Sequence, residues 1–103
     1  MQKIVSDFNN KKNLNQSPLS VSARLLDIQS ELGELSKEYL KHSNYGVENF
    51  RLEENFKLEF GDVLYSLLSL ADELNINAED CLNNAITKYE SRLAISNKMD
   101  SGN

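Results

Sequence analysis

Two short segments of the chain share one pattern. Glu31-Leu32-Gly33-Glu34-Leu35 and Glu59-Phe60-Gly61-Asp62-Val63 both read acid, apolar, glycine, acid, apolar. On an α-helix, acids three residues apart lie about 60° apart on one face and one turn apart along the axis, near enough to share an ion. Hard carboxylate oxygens suit Mg²⁺, with Mn²⁺ as a substitute; Mg²⁺ keeps bound waters and links protein carboxylates to substrate phosphates. The chemistry open to such a set is metal-assisted hydrolysis of a phosphate ester or anhydride. Glu31, Glu34, Glu59 and Asp62 are therefore candidate metal-ligating and catalytic residues. Glu38, on the same helix face as Glu31, is a further candidate ligand.

The apolar positions decide where these acids point. With Glu31 set at zero, Leu35, Ile28, Leu32 and Leu25 fall at about +40 to +120°, and Glu34 at about −60°. Glu59 with Val63, Phe56, Leu67, Phe60 and Asp62 repeats the arrangement. Each acid pair borders an apolar stripe. If the stripes pack together, four carboxylates converge at the edge of a core, where net negative charge is unfavourable without a cation. A mid-helix glycine costs about 1 kcal/mol relative to alanine, so its repetition in both motifs points to close backbone packing or a special site.

The elements that must position these residues all read as helical. Four Gly and one Pro leave little punctuation, and no alternating run of β-branched residues is present. A first helix over Met1 to about Asn10 carries Ile4, Val5 and Phe8, and the polar stretch Asn9 to Gln16 is a loop. Ser17-Pro18 is an N-cap followed by a proline at the first helical position. It opens a helix to about Lys41 with Val21, Leu25, Ile28, Leu32, Leu35 and Tyr39 on one side. His42 to Gly46 is turn chemistry. The next helix spans about Val47 to Asn75 with Phe56, Phe60, Val63, Leu67, Leu70 and Leu74 in register. Asn77 caps a last helix, whose stripe is Cys81, Leu82, Ala85, Ile86, Tyr89 and Leu93 and which ends near Ser96. The expected fold is an all-α antiparallel helical bundle: a single domain over 1–96 and a frayed tail over 97–103.

With 103 residues, the chain buries only about 60–65% of its unfolded surface, so a ligand site sits at its edge or between subunits, and a homodimer or homotetramer is expected. Sixteen acids against 11 Lys and Arg give a net charge of −5, and no basic run extends beyond Lys11-Lys12. That composition lacks the footprint needed to neutralise a nucleic-acid backbone, whereas a phosphate substrate remains compatible through a metal. One cysteine, Cys81, and one histidine, His42, exclude an intramolecular disulfide, zinc-finger ligation and histidine-based di-iron motifs. His42 reads as a helix C-terminal cap or an exposed side chain. No apolar run reaches the roughly 18–20 residues of a membrane helix, and Met1 to Asn10 lacks the apolar core of a signal peptide; no membrane association and a cytoplasmic location are expected.

The paired motifs, with Val63-Leu64-Tyr65-Ser66-Leu67-Leu68-Ser69-Leu70-Ala71 and Asn75-Ile76-Asn77, resemble the MazG family of all-α nucleoside triphosphate pyrophosphohydrolases. The resemblance runs from about Val21 to Arg92, with 24 residues between Glu34 and Glu59. It implies a MazG-type fold, a four-helix core completed by oligomerisation, and Mg²⁺ on Glu31, Glu34, Glu59 and Asp62. It implies attack of water on the α-phosphate of a (deoxy)nucleoside triphosphate, releasing monophosphate and pyrophosphate, as in house-cleaning of nucleotide pools. Lys88 and Arg92 resemble the family's basic motif and are candidate substrate-binding residues for the triphosphate. Ile86 stands where an asparagine is common, and Ser30 where a second glutamate is common.

Two other readings compete. Asp27-x-x-x-Glu31-x-Gly33 superficially resembles a Nudix helix, but Leu26-Asp27 and Ser30-Glu31 replace the expected residue pairs and the sequence supplies no strands for a mixed sheet. The alternative that stands is a non-catalytic helical interaction protein on the same fold, its acids a solvated stripe.

Overall fold

A computed structural model describes residues 1–12 and 20–101. Among the described residues there are four helices and no strands: α1 (Gln2–Lys11), α2 (Ser20–Lys41), α3 (Glu54–Glu73) and α4 (Ala78–Ser101). The Ser17-Pro18 cap and residues 13–16 of the expected loop lie outside the described residues. No helix among the described residues is long and apolar enough to cross a membrane.

The helical pair α2–α3 is the centre of the fold, and it runs antiparallel. Glu31 meets Glu59 and Asp62, while Tyr39, two turns further along α2, reaches the start of α3 through Phe50, which stacks between Tyr39 (5.4 Å) and Phe56 (4.9 Å). The expected stripes are split by this packing. Val21, Ile28 and Leu35 of α2 and Phe56, Val63 and Leu70 of α3 are half-buried. The alternate members, Leu25, Leu32 and Tyr39 with Phe60, Leu67 and Leu74, stay exposed, Leu32 at 47% and Phe60 at 56%. Each helix therefore carries two apolar lines with a seven-residue repeat, one met within the chain and one left open.

Three boundaries differ from expectation. First, α3 starts at Glu54 and not near Val47. Asn44, Tyr45 and Gly46 all take positive φ (47°, 59° and 86°), which ends α2 and reverses the chain. Ser43, fully buried, stabilises the reversal by donating its hydroxyl to the Tyr39 carbonyl and accepting from the Gly46 N–H. The Arg51 N–H then bonds the His42 carbonyl, and Glu53 is the extended residue from which α3 begins. Second, α3 closes at Leu74, with Asn75 left-handed (φ 58°). Ile76 N–H bonds Ala71 O and Asn75 N–H bonds Asp72 O, the paired bonds of a Schellman C-terminus. Third, α4 continues past Ser96 to Ser101. Its start is as expected: Asn77 Oδ1 accepts from the Asp80 N–H at 3.0 Å.

The assignment of Asn9 to a loop too polar to pack is corrected. Asn9 lies inside α1 and is fully buried, with its Nδ2 donating to Ser69 Oγ and its Oδ1 accepting from the Tyr65 hydroxyl. Gln2 ties the other end of α1 to the α3–α4 turn, donating to Ile76 O and accepting from the Ala78 N–H, both at 2.8 Å. Helix α1 is thus held by side-chain hydrogen bonds as much as by Val5, its one buried apolar residue.

Helix α4 departs from the rest. Only its first turn, through Ala78, Cys81 and Leu82, borders α3, where these residues and Leu67, Leu68, Leu70, Ala71 and Ile76 line an apolar groove of about 320 Å³. Among the described residues α4 makes no extensive packing against α1, α2 or α3. The radius of gyration is 18.0 Å, against about 13 Å for a compact chain of about 100 residues. Val5, Leu68 and Ala71 are the buried apolar residues among those described.

The glycines of the two motifs are not sites of close approach within the chain. A Cβ built on Gly33 or Gly61 meets nothing within 4 Å among the described residues. Both lie in ordinary helix, so Gly33→Ala is expected to raise stability by about 0.5–1 kcal/mol, measured by denaturant unfolding. A destabilised Gly33→Ala would place a second chain against that face.

Candidate metal centre

Glu31 comes from the middle of α2, and Glu59 and Asp62 from the first half of α3. The antiparallel seam brings one carboxylate oxygen of each to within 4.8 Å of the others. This is the one such grouping of acids, histidines and cysteines among the described residues. Glu31 and Glu59 are half-buried at the seam, and Asp62 is exposed on its rim. Three hard oxygen donors at that spacing, with an open side for water, fit a Mg²⁺ or Mn²⁺ ion in number and chemistry.

The remaining candidates are placed differently. Glu34 lies outside the three-residue grouping and its carboxylate reaches Lys37 at 3.5 Å on an exposed face. Glu38 sits further along α2 and pairs with His42 at 3.1 Å. Lys88 and Arg92 lie on α4, beyond the turn that borders α3, so a single chain does not bring them to the acids. Lys88 Nζ instead rests over the Tyr89 ring, 5.2 Å from its centre. Among the aromatic side chains, Phe50 is packed between Tyr39 and Phe56, Phe8 lies edge-on to Tyr65, and Tyr45 is fully outward.

Negative charge accumulates around the seam, and Glu59 carries the consequence. Desolvation first, and then the negative charges of Asp62, Glu31, Glu34 and Glu38, push its carboxyl above the ordinary glutamate value. A carboxyl raised in the folded state weakens the fold once ionised. Stability is unaffected below the ordinary glutamate value and is lost as pH rises through the raised one. In metal-free protein, Glu59→Gln is therefore expected to raise the midpoint of thermal unfolding at pH 7 relative to the wild type, with the gap closing below pH 4. If the grouping takes a cation, added Mg²⁺ or Mn²⁺ is expected to stabilise the wild type by about 2.7 kcal/mol at about 100 times the Kd and to leave Glu59→Gln unmoved. Differential scanning calorimetry at two pH values, with and without metal, reads both effects.

A protein of Bacillus subtilis (strain 168), named uncharacterized protein YpjD, is 37% identical over 79 residues, which cover 74% of this chain and 67% of the relative. The chain belongs to the YpjD family. No protein-family model and no solved structure matches this YpjD-family chain at a significant level. The name YpjD carries no activity, so the function of this family member rests on its own residues.

The pairing of Glu38 with His42 was not legible from sequence. Its only signal is their i, i+4 spacing at the end of α2, where His42 also reads as a cap.

Proposed function

We propose that this protein is a Mg²⁺-dependent nucleoside triphosphate pyrophosphohydrolase of MazG-like type. The observation that carries the reading is the meeting of Glu31 with Glu59 and Asp62 across the α2–α3 seam. The two motifs that resemble the MazG family thereby contribute to one carboxylate site. Glu31, Glu59 and Asp62 hold the metal, and Glu34 and Glu38 supply further negative charge beside it. Mg²⁺ bound there supplies a polarised water and neutralises phosphate charge. The water oxygen bonds to the α-phosphorus, the bond to the α–β bridging oxygen breaks, and nucleoside monophosphate and pyrophosphate leave.

The substrate-binding cations belong to the same proposal. Lys88 and Arg92 hold the outer phosphates of a site on a second copy of the chain, because α4 does not fold back onto its own acids. Self-association is supported by the open apolar lines of α2 and α3 and by the exposed stripe of α4, where Leu82 is 58% exposed. A helical pair with one apolar line unmet is half of a four-helix bundle. This assembly is a homodimer or a dimer of dimers acting on nucleotide pools in the cytoplasm.

The test is chromatography of products after the protein is incubated with Mg²⁺ and a panel of ribo- and deoxynucleoside triphosphates. Monophosphate with pyrophosphate in equal amounts supports the reading, and diphosphate with phosphate overturns it. The open apolar faces also favour a second reading, a non-catalytic scaffold that binds another protein there. A scaffold turns over no triphosphate in the panel and binds no Mg²⁺.

A further inference from the structure

Among the described residues after α1, Val47 and Tyr45 are the most exposed large apolar side chains, at 81% and 78%. The backbone beneath them is fixed. The Tyr45 N–H donates to the Leu40 carbonyl at 2.8 Å, and the Gly46 and Glu48 N–H groups both donate to the carbonyl of Ser43, itself fully buried. Tyr45 takes a left-handed φ of 59°, which strains a residue carrying a Cβ and persists only where its surroundings impose it. Its ring meets no other ring, and its hydroxyl no hydrogen-bond partner, among the described residues. A bulky side chain held out on fixed backbone, with nothing in its own chain to touch, is preorganised for a partner.

A hollow that fits it lies at the other end of the same helical pair. The groove between α3 and the first turn of α4, about 320 Å³ and lined by aliphatic side chains and Cys81, has room for one aromatic ring. The 43–53 turn precedes α3 and the groove borders its last turns, so the two are separated by most of a helix about 30 Å long. A two-fold axis across the middle of α3 exchanges its ends. It carries the turn of each copy to the groove of the other and makes both contacts together, which gives the self-complementarity of an isologous pair. Gly61, seven residues before Leu68 on the same line of α3, lies near that axis. A Cβ there meets nothing within 4 Å among the described residues, so two α3 backbones have room to approach.

The surface available is of the right size. Tyr45, Val47, Phe60, Leu67 and Leu82 are all exposed, and together they offer on the order of 500 Å² of apolar surface. That matches the apolar share of the about 800 Å² that each side of a standard interface buries.

We propose that the chain forms a two-fold antiparallel dimer in which the 43–53 turn of each copy seats Tyr45 in the α3–α4 groove of the other. The proposal rests on the self-association reading given above and specifies its contacts; it does not depend on a bound metal. Tyr45 is the anchor, and the strain of its backbone is the consequence of presenting it.

Sedimentation equilibrium of the full-length protein, without metal or nucleotide, is the test. Wild type is expected to be a dimer. Tyr45→Gly, which places a residue at ease in left-handed backbone, is expected to lose about 10-fold at each of the two contacts and so to raise the dimer dissociation constant about 10²-fold. Its unfolding midpoint, compared with that of wild type at a concentration where both are monomeric, stays or rises. A Tyr45→Gly dimer as tight as wild type overturns the proposal and leaves self-association standing. A wild-type chain that stays monomeric overturns both and leaves the metal centre untouched. A second probe keeps the ring in place: p-benzoylphenylalanine is incorporated instead of Tyr45 and the protein is irradiated. The two chains are expected to become joined through a peptide within residues 67–82. A link elsewhere on the second copy, or none, overturns the proposal.

Discussion

Glu59→Gln is expected to lower kcat/KM for triphosphate hydrolysis by at least about 10²–10³-fold, the range lost when one preorganised electrostatic group is removed from a reacting centre. Glu59 is placed for the largest effect of the three clustered acids. It is half-buried, it shares the seam with Glu31, and Asp62 is its nearest neighbour in charge. The substitution preserves shape and removes the charge proposed to hold the ion. A rise in thermal stability of the same variant in the absence of metal, the outcome expected from relieved repulsion, separates such a loss from misfolding. Glu34→Gln is the internal comparison: its carboxylate reaches Lys37 outside the cluster, so its loss is less than about 10-fold. Steady-state rates of monophosphate release at saturating Mg²⁺ measure both. Equal rates for Glu59→Gln and wild type would return these acids to the status of a solvated helix face.

The sequence carried the pairing of the two acid motifs because helical spacing alone places each acid at the margin of an apolar stripe. Periodicity could not assign which of two parallel lines on that stripe meets its neighbour. Ile28 and Leu32 are equally good stripe members, yet only Ile28 turns to α3. The choice depends on the rotation of α2 against α3, and the same rotation separates Glu31 from Glu34. Asn9 escaped the reading for a related reason. Polarity predicts exposure, and a buried amide is recognisable only from its partners, Ser69 and Tyr65, some sixty residues away in the chain. The late start of α3 was hidden because Val47 to Phe50 resembles helix in composition, while three consecutive left-handed residues and the insertion of Phe50 beneath Tyr39 are set by tertiary contact. The two glycines point in sequence to close packing or a special site, and their faces are open within the chain among the described residues. Asn77, by contrast, was legible, since a cap is a local hydrogen bond three residues long.

The second large effect separates a site built within one chain from a site shared between two. Glu59→Gln and Arg92→Ala are each expected to be nearly inactive alone, the first for want of a bound ion and the second for want of charge on the outer phosphates. If α4 delivers Arg92 to the acids of a second copy, co-expression of the two variants restores activity. In a two-fold dimer formed at random from equal amounts, half the assemblies are mixed, and each mixed dimer holds one site with neither substitution, so about a quarter of wild-type activity returns. If acids and cations of one site belong to one chain, every site in a mixed dimer carries one lesion and nothing returns. The shared arrangement is favoured by the placement of α4, which leaves α3 after its first turn and presents Leu82, Ile86, Tyr89 and Leu93 to solvent. A stripe of that length on an unpacked helix is stable only when covered. Ile86→Glu in the Arg92→Ala chain supplies the control: charge in the middle of the stripe prevents that chain from associating, so on its own it is a monomer in light scattering and, co-expressed with Glu59→Gln, it no longer returns the quarter of activity.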